Sequence, residues 1–391
     1  MADAVLTGAD RFAEWGERHL KGMRFGLLTN PTGIDAQYRP TVEKAAQMKG
    51  ARLTALFACE HGIRGEKQAG VQFADETDPE LGLPVFSLYG EHRRPTAAML
   101  ESLDAVVFDI QDLGVRFYTY LTTLVYVMQA CAEHGRKVIV LDRPNPLGGN
   151  RCGGGYLHEN YHSMVGAWRM PIATGLTIGE IATLVNDQMN RPCELQVVPL
   201  TGWKREMEYP DTGLPWIMPS PNMPTMDTVR VYAGNCLFEG TNLSEGRGTT
   251  RPFEIIGAPW LRHRQLCEQL NGLRLAGVRF HPTTFVPSMS KHAGELCNGV
   301  MIFVTDKKSY DPISTSLYMI RQVMELHPQD FRWLPSSDPK SPCFIDILSG
   351  SERVRTTLHL PGGLEAILEE WEADRRDWER VRRHYLLYGS D

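Results

Sequence analysis

The sequence predicts an α/β fold with a parallel, doubly wound sheet, and three apolar runs carry that prediction. Leu53 to Ala58 stops just before Glu60, Ala105 to Phe108 runs into Asp109, and Lys137 to Leu141 runs into Asp142. Each run is short and bounded by polar or glycine-rich sequence, as expected of a strand buried on both faces. Segments of helical character separate the runs, and strands alternating with helices point to a parallel sheet. Ligands on such sheets sit outside the carboxyl ends of the strands, so the three acidic residues are expected to share a cleft there.

The elements follow in order. Gly8 to Leu20 sets apolar Phe12, Trp15 and Leu20 among charged residues, an amphipathic helix ended by Gly22. Arg24 to Leu28 reads as the first strand and feeds the turn Thr29-Asn30-Pro31-Thr32-Gly33. A helix around Thr41 to Met48 precedes the strand that leads to Glu60. After an irregular stretch, Gln68 to Pro84, come a short strand (Val85 to Leu88) and a short helix (Pro95 to Ser102). Tyr118 to His134 is a long apolar-periodic helix closed by Gly135. Past the loop Pro144 to Gly155, Thr177 to Met189 reads as a helix with Thr177 as its N-cap and Glu180 three residues on. Leu195 to Pro199 is another strand, and Trp203 to Pro224 a long Pro- and aromatic-rich run of the kind usually retained for function.

Near Pro259 the character changes. A helix (Leu261 to Asn271), strands (Arg279 to Phe285, Gly299 to Val304) and two further helices (Ile313 to Leu326, Leu364 to Arg383) suggest an α+β domain. The expected division is a catalytic α/β domain over residues 1–258 and a smaller accessory domain over 259–391, and a length of 391 residues suits two domains. The charges from Arg375 to Arg383 read as a solvated helix face.

Composition narrows the function. A net charge of −6 gives no global basic field for nucleic acid or an anionic membrane, so an anionic substrate has to be held by local arginines. The eight cysteines include no C-x-x-C pair, which argues against a zinc ribbon or redox motif and suits buried thiols in a reducing compartment. Met1-Ala2-Asp3-Ala4 lacks the basic and apolar regions of a signal peptide, and no run is apolar enough to insert in a membrane. The expected location is cytoplasmic, or periplasmic or secreted if a leader was removed.

Four patches concentrate the chemistry. They are Glu60-His61 with Arg64; Asp109 to Asp112, including Gln111, with Arg116, Tyr118 and Tyr120; Asp142-Arg143-Pro144-Asn145; and Glu239 to Asn242 followed by Glu245-Gly246-Arg247-Gly248. Carboxylates interleaved with Arg, Asn and Tyr suit hydrolysis of a hydroxyl-rich molecule: the carboxylates supply general acid and base, the others orient by hydrogen bonds. Each has a plainer alternative, since an Asp at a strand end also caps the next helix and loop glycines also satisfy positive φ. His158-Glu159-Asn160-Tyr161-His162 matches H-E-x-x-H, but Gly153-Gly154-Gly155 before it and Gly166 after it leave little room for the helix that zinc chemistry needs. No metal or other cofactor is expected.

Five longer motifs carry a resemblance. Cys59 to Gly65 (C-E-H-G-I-R-G), Phe108 to Tyr120, Leu141 to Gly149, Pro219 to Thr225 and Phe238 to Phe253 resemble the NamZ family of exo-β-N-acetylmuramidases, glycoside hydrolase family 171. The resemblance implies a Rossmann-like domain with a C-terminal accessory domain. It also implies release of N-acetylmuramic acid (MurNAc) from the non-reducing ends of peptidoglycan fragments in cell-wall turnover. The family's catalytic glutamate falls on Glu60 and a second acidic motif residue on Glu245, with Asp109 as the other candidate partner. Asn222, in the fourth motif, joins the substrate-binding candidates. Arg64, Arg143 and Arg247 are candidates for gripping the lactyl carboxylate, and Tyr118, Tyr120, Trp203 and Trp216 for aromatic faces. A muropeptide-binding protein without catalysis and a zinc-dependent hydrolase are the alternatives.

Overall fold

The structure is a computed structural model and describes residues 4–336 and 341–389. Met1 to Asp3, on which the leader argument rests, lie outside the described residues. The chain forms two compact units, one of Met1–Arg151, Thr174–Pro224 and Glu379–Asp391, the other of Cys152–Ala173 and Thr225–Trp378.

The first unit contains α1 (Gly8–His19), β1 (Arg24–Thr29), α2 (Thr41–Ala46), β2 (Arg52–Ala58), β3 (Glu76–Thr77) and β4 (Pro84–Ser87). It continues with α3 (Ala97–Glu101), β5 (Ala105–Asp109), α4 (Thr119–His134), β6 (Lys137–Leu141), α5 (Ile178–Gln188) and β7 (Glu194–Val198). The seven strands lie in the order β3-β4-β2-β1-β5-β6-β7. All neighbouring pairs are parallel except β3 with β4. The chain builds outward from β1 to β4, returns to the other side of β1 and builds outward again to β7, which is double winding. The order reverses between β1 and β5, so that boundary is where a ligand crevice is expected.

Alternation along the strands explains the core. Phe25 and Leu27, Leu56 and Ala58, Ala105 and Val107, and Ile139 and Leu141 share one cluster with Ala9, Phe12 and Ala45 of α1 and α2. Successive strand side chains point to opposite faces, so every second residue meets these helices. Local signals act as expected: Gly135 caps α4 in the left-handed region at φ 64°, and Thr177 with Glu180 forms a capping box on α5. The C-terminal charges depart from the solvated face expected of them at Arg382. It is 8% exposed and donates to the carbonyls of Gly149 and Gly175, which Arg205 also contacts.

The second unit contains α6 (Met226–Asn235), β8 (Ile255–Ala258), α7 (His263–Gly272), β9 (Val278–Phe285), β10 (Cys297–Val304) and α8 (Pro312–Leu326). It ends in α9 (Phe344–Ser349), α10 (Arg353–Thr357) and most of α11 (Gly363–Arg382). Its sheet is antiparallel in the order β8-β10-β9. Helices α6 and α8 approach closely at Gly234, where a Cβ would lie 1.9 Å from the carbonyl oxygen of Pro312. The main segment of this unit begins at Thr225 and an earlier piece, Cys152–Ala173, joins it, whereas the compositional change in the sequence falls near Pro259. The difference arises because β8 pairs with β10, drawing the preceding loop and α6 into the second core.

Candidate active site

The site in the first unit is assembled at the carboxyl ends of β1, β2, β5 and β6. Glu60, two residues beyond β2, is 8% exposed. Its Oε1 accepts from the Gly70 amide at 2.9 Å and its Oε2 from the Thr119 hydroxyl at 2.7 Å. Thr119 opens α4, so the carboxylate lies at the end of that helix which favours negative charge. The Tyr89 phenol lies near Glu60, since Ser87 pairs with Ala58 across β4 and β2, and burial together with that carboxylate pushes it up to about 12.

His61 follows with φ +74°, a left-handed conformation uncommon outside glycine and concentrated at functional sites. Its Nδ1 lies 2.8 Å from the Lys67 carbonyl, so that nitrogen carries the proton and donates. Gly62 and Gly65, also at positive φ, complete the turn. Arg64 is half-exposed and stands 3.6 Å from Asp78.

Two more patches meet beside this one. Thr29 Oγ1, at the end of β1, donates to the Asp109 carbonyl at 3.0 Å, and the Gln111 amide donates to Thr32 Oγ1 at 2.9 Å. Gln111 Nε2 reaches the carbonyls of Asp112 and Pro144. Arg143 Nε donates to Asp109 Oδ1 at 2.7 Å and Nη2 to the Ile34 carbonyl at 3.0 Å. Asp112 Oδ1 accepts from the Gly114 amide, and burial raises this carboxyl to about 7. Tyr118 and Tyr120 pack edge to face at 4.8 Å. The Tyr120 hydroxyl donates to Pro219, in the turn that also holds buried Asn222. Arg116 is buried in the segment between β5 and α4.

Several expected ligand contacts are instead internal. Asp142 is wholly buried and accepts from the amides of Arg143 and Gly179 and the hydroxyls of Thr177 and Tyr388. It therefore ties β6 to the start of α5, and burial raises it to about 7. Asn145 donates to Leu176 and accepts from Leu147, holding its own loop. Asp109 is wholly buried, with Oδ1 on Arg143. Tyr120, likewise buried, offers no ring face. Trp203 sits in a small core with Val5 and Leu200, edge-on to Tyr388 at 5.4 Å. The Trp216 indole donates to Met223.

The fourth patch belongs to the second unit. Glu245 is 1% exposed, with Arg247 Nε 3.3 Å from one oxygen and Lys291 Nζ 2.8 Å from the other. Arg247 also grips Glu239 Oε1 through Nε and Nη2 and stacks on Phe253 at 5.0 Å. Lys291 donates to the carbonyls of Phe238 and Thr241 as well, anchoring the loop. Asn242 is structural: it donates to the Asp330 carbonyl and accepts from the Arg332 amide.

Thr119, Tyr89 and Lys291 are the participants that sequence reading missed. Thr119 lay inside a motif already singled out, whereas Tyr89 and Lys291 are distant in sequence from the glutamates they serve. His158 to His162 forms a single 3-10 turn over Glu159–Tyr161, with His158 as its N-cap, so the two histidines do not share a helical face. Among the described residues no group of three or more His, Cys, Asp or Glu is arranged to hold a metal.

The sequence patterns of the two domains of exo-beta-N-acetylmuramidase NamZ match residues 25–227 (N-terminal) and 230–388 (C-terminal). The chain belongs to the NamZ family. It is 43% identical over 384 residues to the peptidoglycan beta-N-acetylmuramidase NamZ of Bacillus subtilis, covering 98% of this chain and 91% of that one. Crystal structures of two DUF1343 family proteins from Bacteroides fragilis share the fold. One aligns with a TM-score of 0.90 at 35% identity over 98% of this chain and 99% of that one. The other aligns with a TM-score of 0.75 at 30% identity over all of both chains. NamZ membership agrees with the doubly wound first unit and the smaller antiparallel second one.

Proposed function

We propose that this chain is an exo-acting glycosidase releasing N-acetylmuramic acid from the non-reducing end of peptidoglycan fragments, with Glu60 as the general acid/base. Family membership supports the reaction class and the substrate. The observation that carries the role of Glu60 is its setting: a carboxylate beyond a central strand, held by the Gly70 amide and the Thr119 hydroxyl and by no cation among the interactions described above. Hydrogen-bond donors fix its direction without consuming its charge in an ion pair, which leaves it able to exchange a proton with a glycosidic oxygen.

The other carboxylate candidates are committed elsewhere. Asp109 is buried against Arg143, and both oxygens of Glu245 face cations. The reading therefore assigns the nucleophile to the substrate's own acetamido oxygen, with Glu60 protonating the leaving group, as in the substrate-assisted exceptions to the two-carboxylate scheme.

The test is hydrolysis of a chromogenic β-N-acetylmuramide beside the matching N-acetylglucosaminide, with wild type and Glu60→Gln, with and without chelator. The expected result is muramide-selective turnover with retained anomeric configuration, abolished in the variant and indifferent to chelator. Turnover unchanged in Glu60→Gln would remove Glu60 from the chemistry, and inversion would remove the acetamido nucleophile. Tight muropeptide binding without turnover of any chain length would favour a binding protein.

A further inference from the structure

N-acetylmuramic acid differs from N-acetylglucosamine by an O-linked lactyl arm that ends in a carboxylate. An enzyme selective for it needs a cation near its acid/base that is not already neutralised. The arginines the sequence suggested for this task are occupied: Arg143 is buried on Asp109, and Arg247 lies between Glu239 and Glu245. Arg64 leans toward Asp78, Lys67 pairs with Glu66, and Arg94 pairs with Glu133.

Arg93 differs from all of these. It lies between β4 and α3, half-buried, with its guanidinium 4.6 Å from the centre of the Tyr89 ring. Among the described residues no carboxylate forms an ion pair with Arg93, whereas the neighbouring Arg94 is paired with Glu133. Tyr89 is held in place: the Leu88 amide continues the sheet onto the Ala58 carbonyl, and the Tyr89 carbonyl accepts from Phe73. Ala58 ends the strand that delivers Glu60, and because Ser87 pairs with Ala58, Tyr89 stands beside Glu60. Stacking uses the flat face of a guanidinium and leaves in-plane N–H donors for a planar acceptor.

We infer that Arg93, stacked on Tyr89 beside Glu60, is the specificity residue that recognises the lactyl carboxylate, an inference that rests on the muramidase reading above. One tyrosine then links the group that recognises the substrate's charge to the group that performs the proton transfer.

The experiment compares a chromogenic β-N-acetylmuramide with its lactyl methyl ester, which has the same shape without the charge, on wild type, Arg93→Ala and Arg93→Lys. Wild type is expected to prefer the acid. Arg93→Ala raises KM for the acid about 10- to 100-fold, the usual effect of losing a charge-assisted contact, and leaves the ester nearly unaffected. Arg93→Lys restores part of the preference as a point charge. Equal losses on acid and ester would overturn the inference, because Arg93 would then merely support Tyr89; an unchanged KM would overturn it too. Should wild type cleave neither compound, the muramidase reading fails separately. Calorimetric binding of N-acetylmuramic acid and its methyl ester then decides about Arg93, and equal affinity of wild type for the two overturns the assignment.

Discussion

Glu60 and Glu245 are both buried glutamates in glycine-bearing loops, one in each unit, yet their surroundings differ in kind. Glu60 is held by an amide and a threonine hydroxyl. Glu245 is held by Arg247 and Lys291, and the same two cations bind Glu239 and the carbonyls of Phe238 and Thr241. Neutral donors orient a carboxylate and leave its charge for chemistry. Cations compensate the charge, so the carboxylate becomes a structural centre whose removal leaves others unpaired. The sequence offers Glu60 as the catalytic glutamate and Glu245 as a candidate second carboxylate, and their partners set them further apart.

The sharpest way to break this comparison is to neutralise each glutamate. Glu60→Gln should lower kcat about 10²- to 10⁴-fold, the typical contribution of a positioned acid/base, with the urea midpoint nearly unchanged. Glu245→Ala should do the reverse, costing about 3 kcal/mol in urea denaturation of the full chain because Lys291 loses its carboxylate partner and Arg247 one of its two. A catalytic loss in Glu245→Ala without destabilisation would erase the distinction.

Smaller effects sharpen it. Thr119→Val removes one donor from Glu60 and should reduce kcat/KM about 10-fold, consistent with one hydrogen bond to a charged group, while thermal stability stays within a few degrees of wild type. Asp112 supplies a pH test. Burial raises its folded-state value from 3.8 to about 7, so the folded protein holds this proton more tightly than the unfolded chain. Its contribution to stability is fully present below about 4 and is lost as pH rises toward 7. The unfolding free energy from urea titrations should therefore fall less between pH 5 and pH 8 in Asp112→Asn than in wild type, by on the order of 2 kcal/mol. Asp142, raised for the same reason, keeps some slope in the variant.

Local chemistry was legible in the chain wherever the partner was near in sequence. Apolar runs fixed β2, β5 and β6 and their acidic ends, Thr177 and Glu180 marked the start of α5, and Gly135 ended α4. The second domain began earlier than composition suggested because β8 is only four residues long and its pairing with β10 is non-local. Asp109, Asp142 and Asn145 looked like ligand residues because a strand-end carboxylate or amide reads the same whether it faces a substrate or an arginine, a helix cap or its own loop.

By itself the sequence determined the alternation of strands and helices, the carboxylates at the sheet's carboxyl edge and membership in the NamZ family, because periodicity and contiguous motifs are written along the chain. Only the tertiary structure decided which of those carboxylates is committed to a cation and which is held by neutral donors. Thr119 lies 59 positions from Glu60, and Lys291 reaches back 50 positions to Thr241. Such pairings depend on how the strands are ordered and the loops folded, and no local pattern encodes them.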